Sequence, residues 1–298
     1  MEIATIVCEY NPLHLGHAYQ LEYAKAKADK VVCIMSGSFV QRGEPAMYDK
    51  FSRTSWALQA GADLVIELPS IVSLRSAEYF AQGAISIASA IGADLFCFGA
   101  ETDDLETMRQ IAALHLHETA AFKQDMRTAL AQGATYAAAR QQATMGALGV
   151  SAVFFQPNTT LGVEYIKAAI RMGDSVSPLP VKRKGSVSSS ACRESILAGH
   201  IAGDLPAFVA RDIEALHPVE LQEFSDMLLY TLRKMGEGEY ADLPDVSEGL
   251  ENRIYNAARG ALSLDELLWA ISVKRYPLAR IKRILCCALL GISQQDID

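Results

Sequence analysis

Along the first hundred residues, apolar positions fall into short unbroken runs separated by stretches in which they recur every three or four places. Residues 3–10 (IATIVCEY), 30–35 (KVVCIM), 63–68 (DLVIEL) and 94–99 (DLFCFG) are β-branched and aromatic runs that read as buried strands. Residues 16–28, 49–60, 76–91 and 103–113 carry helical spacing between them. Strands without a polar face, alternating with helices, predict an α/β fold in which a doubly wound parallel sheet is covered on both sides.

The pattern then changes. Residues 119–148 are rich in alanine and read as two helices broken near Gly133. There follow an apolar patch (AVFF), a loop QPNTT, a helix over 161–172 and the strand-like SPLPVKRKG. Past about 195 no strand signal remains, and residues 204–298 show helical spacing with caps and stops at Asp204, Pro218, Ser263 and Gly291. Two domains are expected: an α/β domain over 1–195 and an α-helical C-terminal domain over 196–298.

Composition narrows the function classes. With 50% hydrophobic and 21% charged residues in 298, disorder is excluded as the main state. Lys plus Arg number 27 against 35 Asp plus Glu, a net charge of −8, so the chain is no general polyanion binder. Any nucleic-acid surface has to be a local patch. The six cysteines (8, 33, 97, 192, 286 and 287) include no C-x-x-C pair, which fits a reduced compartment. Residues 1–10 lack the basic start and apolar run of an export signal, and no apolar stretch is long enough to span a bilayer, so a cytoplasmic location is expected.

The sharpest chemical signal is EYNPLHLGHAYQL at 9–21, where His14, Gly16 and His17 form H-x-G-H between the first strand and the first helix. In isolation such a triplet also describes two polar histidines in a surface loop. The strand before it and the helix after it favour a phosphate site. Gly16 is expected to turn the chain into a helix whose free amides and positive end suit an anion. His14 and His17 would hydrogen-bond phosphate oxygens as charge develops at an α-phosphorus.

Three further segments are candidates, each with a plainer alternative. The loop SGSFVQRGEPAMYDK (36–50) carries Ser36, Gln41, Arg42, Glu44, Asp49 and Lys50, and reads as a substrate grip or a solvated connection. In KRKGSVSSSACRES (182–195), Lys182, Arg183, Lys184 and Arg193 bracket Ser188–Ser190, which suits triphosphate charge or a capped helix behind a basic turn. KRYPLARIKR (274–283) holds Lys274, Arg275, Arg280, Lys282 and Arg283 without an acidic residue, either an RNA-backbone surface or a solvated face. The other histidines (115, 117, 200 and 217) lack partners at metal spacing and read as structural, so no protein-held metal is expected.

The strand–HxGH–helix unit is similar to that of nucleotidyltransferases and class I aminoacyl-tRNA synthetases. EYNPLHLGH (9–17), MSGSFVQRGEPA (35–46), GADLVIELP (61–69), SAEYFAQGA (76–84), FGAE (98–101) and PNTTLGVEYIKA (157–168) together resemble the bacterial tRNA(Met) cytidine acetate ligase family. SSSACRE (188–194), DVSEGLENRI (245–254) and the basic segment extend the likeness more loosely. Ser38, Leu13, Phe51 and Cys192 depart from the family's usual residues, and members typically continue beyond the basic helix, whereas this chain stops at Asp298.

The resemblance implies a Rossmann-like nucleotidyltransferase fold and an ATP-dependent ligase. ATP would activate acetate as acetyladenylate, and the acetyl group would pass to N4 of the wobble cytidine of elongator tRNA(Met), leaving AMP and pyrophosphate. The implied ATP site comprises Val7, Cys8, Glu9, Tyr10, Asn11, Pro12, Leu13, His14, Leu15, Gly16, His17, Ala18, Tyr19 and Gln20, with Gly99, Asn158, Arg183, Ser190 and Arg193. His14 and His17 would be catalytic, Lys274, Arg275, Arg280, Lys282 and Arg283 would meet tRNA, and Mg²⁺ would be held mainly by the phosphates. A small-molecule nucleotidyltransferase and a non-enzymatic RNA-binding module remain the alternatives on the same scaffold.

Overall fold

The computed structural model describes residues 1–183, 188–201, 203–273 and 276–297. Its first part runs β1 (Ile3–Cys8), α1 (Leu15–Lys25), β2 (Lys30–Ser36), β3 (Phe39–Val40), β4 (Glu44–Pro45), α2 (Lys50–Gln59), β5 (Leu64–Leu68), α3 (Ser70–Ser73), α4 (Ala77–Ala90), β6 (Leu95–Ala100) and α5 (Leu105–Leu116). The chain continues through α6 (Ala120–Ala131), α7 (Tyr136–Leu148), α8 (Pro157–Arg171), β7 (Ser177–Lys182), α9 (Ser189–Leu197), α10 (Ala207–Ile213), α11 (Ser225–Lys234), α12 (Leu250–Gly260), α13 (Leu264–Ile271) and α14 (Leu278–Leu290).

Five strands form a parallel sheet in the order β5-β2-β1-β6-β7, with Ile3 opposite Lys30 and Ala4 opposite Leu95 on the two sides of β1. One face buries Leu21 and Ala24 of α1, Trp56 and Ala57 of α2, and Val209 and Ile213 of α10. The other buries Phe80 and Ile85 of α4, Met108 and Ile111 of α5, and Val163 and Ile166 of α8. Apolar side chains are thus needed on both faces, which is why the strands read as unbroken runs. Chain order reverses between β1 and β6, the switch point outside whose carboxyl ends ligands bind in open α/β sheets.

Three expectations change. Residues 157–160 belong to α8, with Pro157 at its first position, where a missing N–H costs nothing. The 36–50 loop contains a short antiparallel hairpin, pairing Phe39 with Pro45 and Val40 with Glu44. Domain organisation also differs at the 195/196 junction. Leu205, Val209 and Ile213 pack into the sheet's core, and Trp56 Nε1 donates to Asp212 at 3.0 Å, so α10 packs as part of the α/β layer. A separate helical core starts at Leu221 and runs through α11–α14, taking in Phe39 of the hairpin and Leu74.

Candidate active site

Tyr10 turns the chain out of β1 with a left-handed φ of 45°, a conformation that costs a non-glycine residue energy and is found mostly where surroundings enforce it. His14 then caps α1, its Nδ1 accepting the Gly16 N–H at 3.1 Å, while His17 Nδ1 accepts the His14 N–H at 3.3 Å. The two rings stack with centroids 3.7 Å apart. A ring nitrogen that accepts carries no proton, so the hydrogen-bond network assigns the N–H of each imidazole to Nε2. Burial, then the charge of Arg183, lowers His14 from 6.5 to about 4. Burial likewise holds His17 well below its ordinary value, with His14 and Arg183 adding to it and the Pro12 carbonyl opposing. Both imidazoles are neutral donors near pH 7.

This geometry changes two details of the expectation. The first amides of α1 are already paired: Leu15 N–H with the Asp204 carbonyl at 2.8 Å, Gly16 N–H with His14 Nδ1, and His17 N–H with the His14 carbonyl at 2.9 Å. The helix therefore presents its dipole and the two imidazoles that line the cleft, in place of free amides. Gly16 is required for space, since a Cβ there would lie 2.9 Å from His14 Cε1. Its own backbone is helical.

The imidazoles open onto a cleft of about 780 Å³ at the carboxyl edge of the sheet. Val7, Cys8, Glu9, Tyr10, Asn11, His14, Gly16, His17, Tyr19, Gln20, Gly99, Asn158, Arg183, Ser190 and Arg193 all line it. Pro12, Leu13, Leu15 and Ala18 do not: Leu13 is buried in the core and Leu15 faces solvent. Arg183 donates its backbone N–H to the Ala100 carbonyl at 2.9 Å, and Gln20 Nε2 donates to the Cys97 carbonyl at 3.1 Å. Lys184 lies outside the described residues.

Several residues that hold the site together carry no local sequence signal. The Glu101 carboxylate accepts from Asn158 Nδ2 at 2.6 Å and from Thr159 N–H and Oγ1 at 2.8 and 2.7 Å, so it caps α8 from 57 residues away. Burial works against its ionisation, yet the hydrogen bonds from Asn158 and Thr159 hold the carboxyl below its usual range. Fully buried Arg53 donates to the carbonyls of Glu9 (2.7 Å), Ser36 (2.9 Å), Tyr48 (3.0 Å) and Gly37, binding the ends of β1 and β2 into one rim. Glu9 accepts the Gln41 N–H at 2.8 Å; burial raises its carboxyl, against Gln41, Arg193, Arg42 and Arg53. Arg193 donates to the Asn11 carbonyl at 3.0 Å and to Ser190 Oγ at 3.1 Å, and Arg42 reaches the same hydroxyl at 3.4 Å. Ser188 caps α9 by accepting the Ala191 N–H, the capped helix that was one of the two expected readings of the serine run.

The basic segment is different. Lys274 and Arg275 lie outside the described residues. Arg280 donates to the Asp245 carbonyl at 2.7 Å and to Ser247 Oγ at 2.8 Å. Lys282 is ion-paired with Glu44, and Arg283 donates to the Gln41 carbonyl at 3.3 Å. The expected free basic stripe is, at these three positions, engaged with the protein's own loops. No group of three or more metal-ligating side chains occurs among the described residues, and no described helix is long and apolar enough to cross a membrane.

The family model for HIGH Nucleotidyl Transferase matches residues 1–298. The chain is 38% identical over 328 residues to the tRNA(Met) cytidine acetate ligase of Acetivibrio thermocellus, covering 100% of this chain and 79% of that protein. The enzyme of the same name from Thermoanaerobacter pseudethanolicus is 37% identical over 320 residues, covering 99% and 79%. Among solved structures, Thermotoga maritima TmcAL bound with alpha-thio ATP superposes with a TM-score of 0.90 at 31% identity, covering 99% of this chain and 76% of that one. With the fold and relatives in agreement, the chain belongs to the HIGH nucleotidyl transferase family and, within it, to the tRNA(Met) cytidine acetate ligases.

Proposed function

We propose that this enzyme uses ATP to activate acetate and transfers the acetyl group to N4 of the wobble cytidine of elongator tRNA(Met). An acetate oxygen attacks the α-phosphorus and the bond to pyrophosphate breaks, giving acetyladenylate. The cytidine amine then attacks the acetyl carbonyl, the bond to AMP breaks, and the amine loses a proton. The observation that carries this reading is the stacked pair of neutral imidazoles that lines the switch-point cleft. Charge grows on the phosphate oxygens during displacement, and donors fixed beforehand stabilise it without reorganising.

In this reading the adenosine lies along Val7–Tyr10, Gly99 and Asn158, and Arg183, Ser190 and Arg193 meet the triphosphate. The cleft's size and its cations suit that ligand. Mg²⁺, when bound, supplies charge neutralisation on the phosphates. Glu101 and Glu9, two carboxylates lining the cleft, already accept hydrogen bonds from the protein, which leaves the phosphates as the ion's main ligands. The α/β unit with α9 and α10 does the chemistry, and the helical unit from Leu221 faces the RNA. Lys274, Arg275 and Arg280 are the basic residues assigned to tRNA.

Incubation with ATP, labelled acetate and total tRNA, followed by nucleoside analysis, tests the reading. Label in N4-acetylcytidine is expected. Label confined to other nucleosides, or none with active ATP turnover on a small metabolite, would replace it with another nucleotidyl transfer.

A further inference from the structure

A helix expected to meet RNA instead grips the rim of the nucleotide cleft. Lys282 of α14 ion-pairs with Glu44, Arg283 donates to the Gln41 carbonyl at 3.3 Å, and Cys286 Sγ contacts the Gly43 carbonyl at 3.3 Å. Three contacts within about one turn of α14 thus hold residues 41–44, the tip of the β3–β4 hairpin. The fit is close: Gly43 has a φ of 77°, and a Cβ on it would lie 2.3 Å from the Arg283 backbone nitrogen. On the cleft side of the same tip, Gln41 N–H binds Glu9 and Arg42 reaches Ser190 beside Arg193. Glu44 also lies within electrostatic reach of Arg193, whose charged form it favours, so the carboxylate that Lys282 holds is coupled to an arginine assigned to phosphate.

We propose that α14 is a latch: Lys282 and Arg283 hold the hairpin so that Arg42 and Arg193 stay directed at the triphosphate, and the helical domain thereby sets nucleotide affinity before RNA arrives. This rests on the reading of the cleft as an ATP site. Lys282 and Arg283 are positioning residues, acting through the hairpin. A second groove of about 440 Å³ runs from Arg42, Ser190 and Arg193 to Lys282, Leu264 and Leu268, so the latch also forms a wall between the two units.

The test is calorimetric binding of α,β-methylene-ATP to the full chain without tRNA. Lys282→Met is expected to weaken binding about tenfold, the effect of losing one charge-assisted contact. Glu44→Gln should do the same without altering α14, and Lys282→Arg should stay within about threefold of wild type. The exchange Glu44→Lys with Lys282→Glu is expected to restore nucleotide binding, a rescue that a merely weakened fold would not show. In parallel, the salt dependence of tRNA binding should keep its slope in Lys282→Met. If that variant binds the nucleotide as wild type does but loses about one unit of salt slope, Lys282 is a direct phosphate contact and the latch is overturned. Wild-type protein that bound no nucleotide would instead remove the reading of the cleft, and the latch with it.

Discussion

At the scale of single residues, the His14–Gly16–His17 triplet works as one piece: each imidazole accepts a backbone amide, and the glycine leaves room for the ring that caps the helix. Gly16→Ala should therefore displace His14 and lower turnover roughly tenfold to a hundredfold while leaving α1 intact, since alanine favours a helix. Turnover and circular dichroism together check this, and an unaffected rate would show that the ring is not held as described. A pH effect follows from burial. His14 in the folded protein is lowered from 6.5 to about 4, so its folded state resists protonation. That contribution to stability is complete above the unfolded value and is lost as pH falls from about 6.5 toward 4. At pH 5 the loss amounts to about 2 kcal/mol. Urea unfolding at pH 7 and pH 5 should show a loss smaller by that amount in His14→Gln than in wild type. The triplet was legible in the sequence because its partners are three residues apart. Its mechanics were less so: free amides were expected, and the imidazoles and Asp204 occupy them.

Among the elements, strands and helices of the sheet were legible because burial on both faces leaves an unbroken apolar run. The start of α8 was not. Its first turn reads as a loop because the group that satisfies it, Glu101, sits at the end of β6, 57 residues earlier. Arg53 escaped notice for the same reason, as its four carbonyl partners come together only in the folded rim. Glu101→Gln tests the cap. A carboxamide cannot accept from Asn158 and both Thr159 donors as a carboxylate does, so a loss of about 1–2 kcal/mol is expected. Because Asn158 lines the cleft, KM for ATP should rise as well. A lower melting temperature with unchanged KM would separate Asn158 from nucleotide binding. The hairpin of residues 39–45 was hidden by its brevity, only two paired positions within a polar segment.

For the molecule as a whole, a net charge of −8 means that RNA contact must be concentrated, and the basic segment was the natural place to look. Its composition was legible; its engagement with the hairpin was not, because charge in a sequence does not reveal which acidic side chain or carbonyl lies opposite. Phe39 and Leu74 within the helical core show the two units interlocked at that point. The domain junction likewise shifted because α10 uses its apolar face to finish the sheet's covering layer. The proposed chemistry nonetheless converges on one place, the switch point between β1 and β6, where His14 and His17 line the cleft. Acetate-dependent exchange of labelled pyrophosphate into ATP, measured without tRNA for wild type, His14→Ala and His17→Ala, examines that place most directly. Wild-type exchange with a loss of about 10²–10³ in each variant is the expected result. Full exchange in either variant would contradict the assignment of the imidazoles to the α-phosphate.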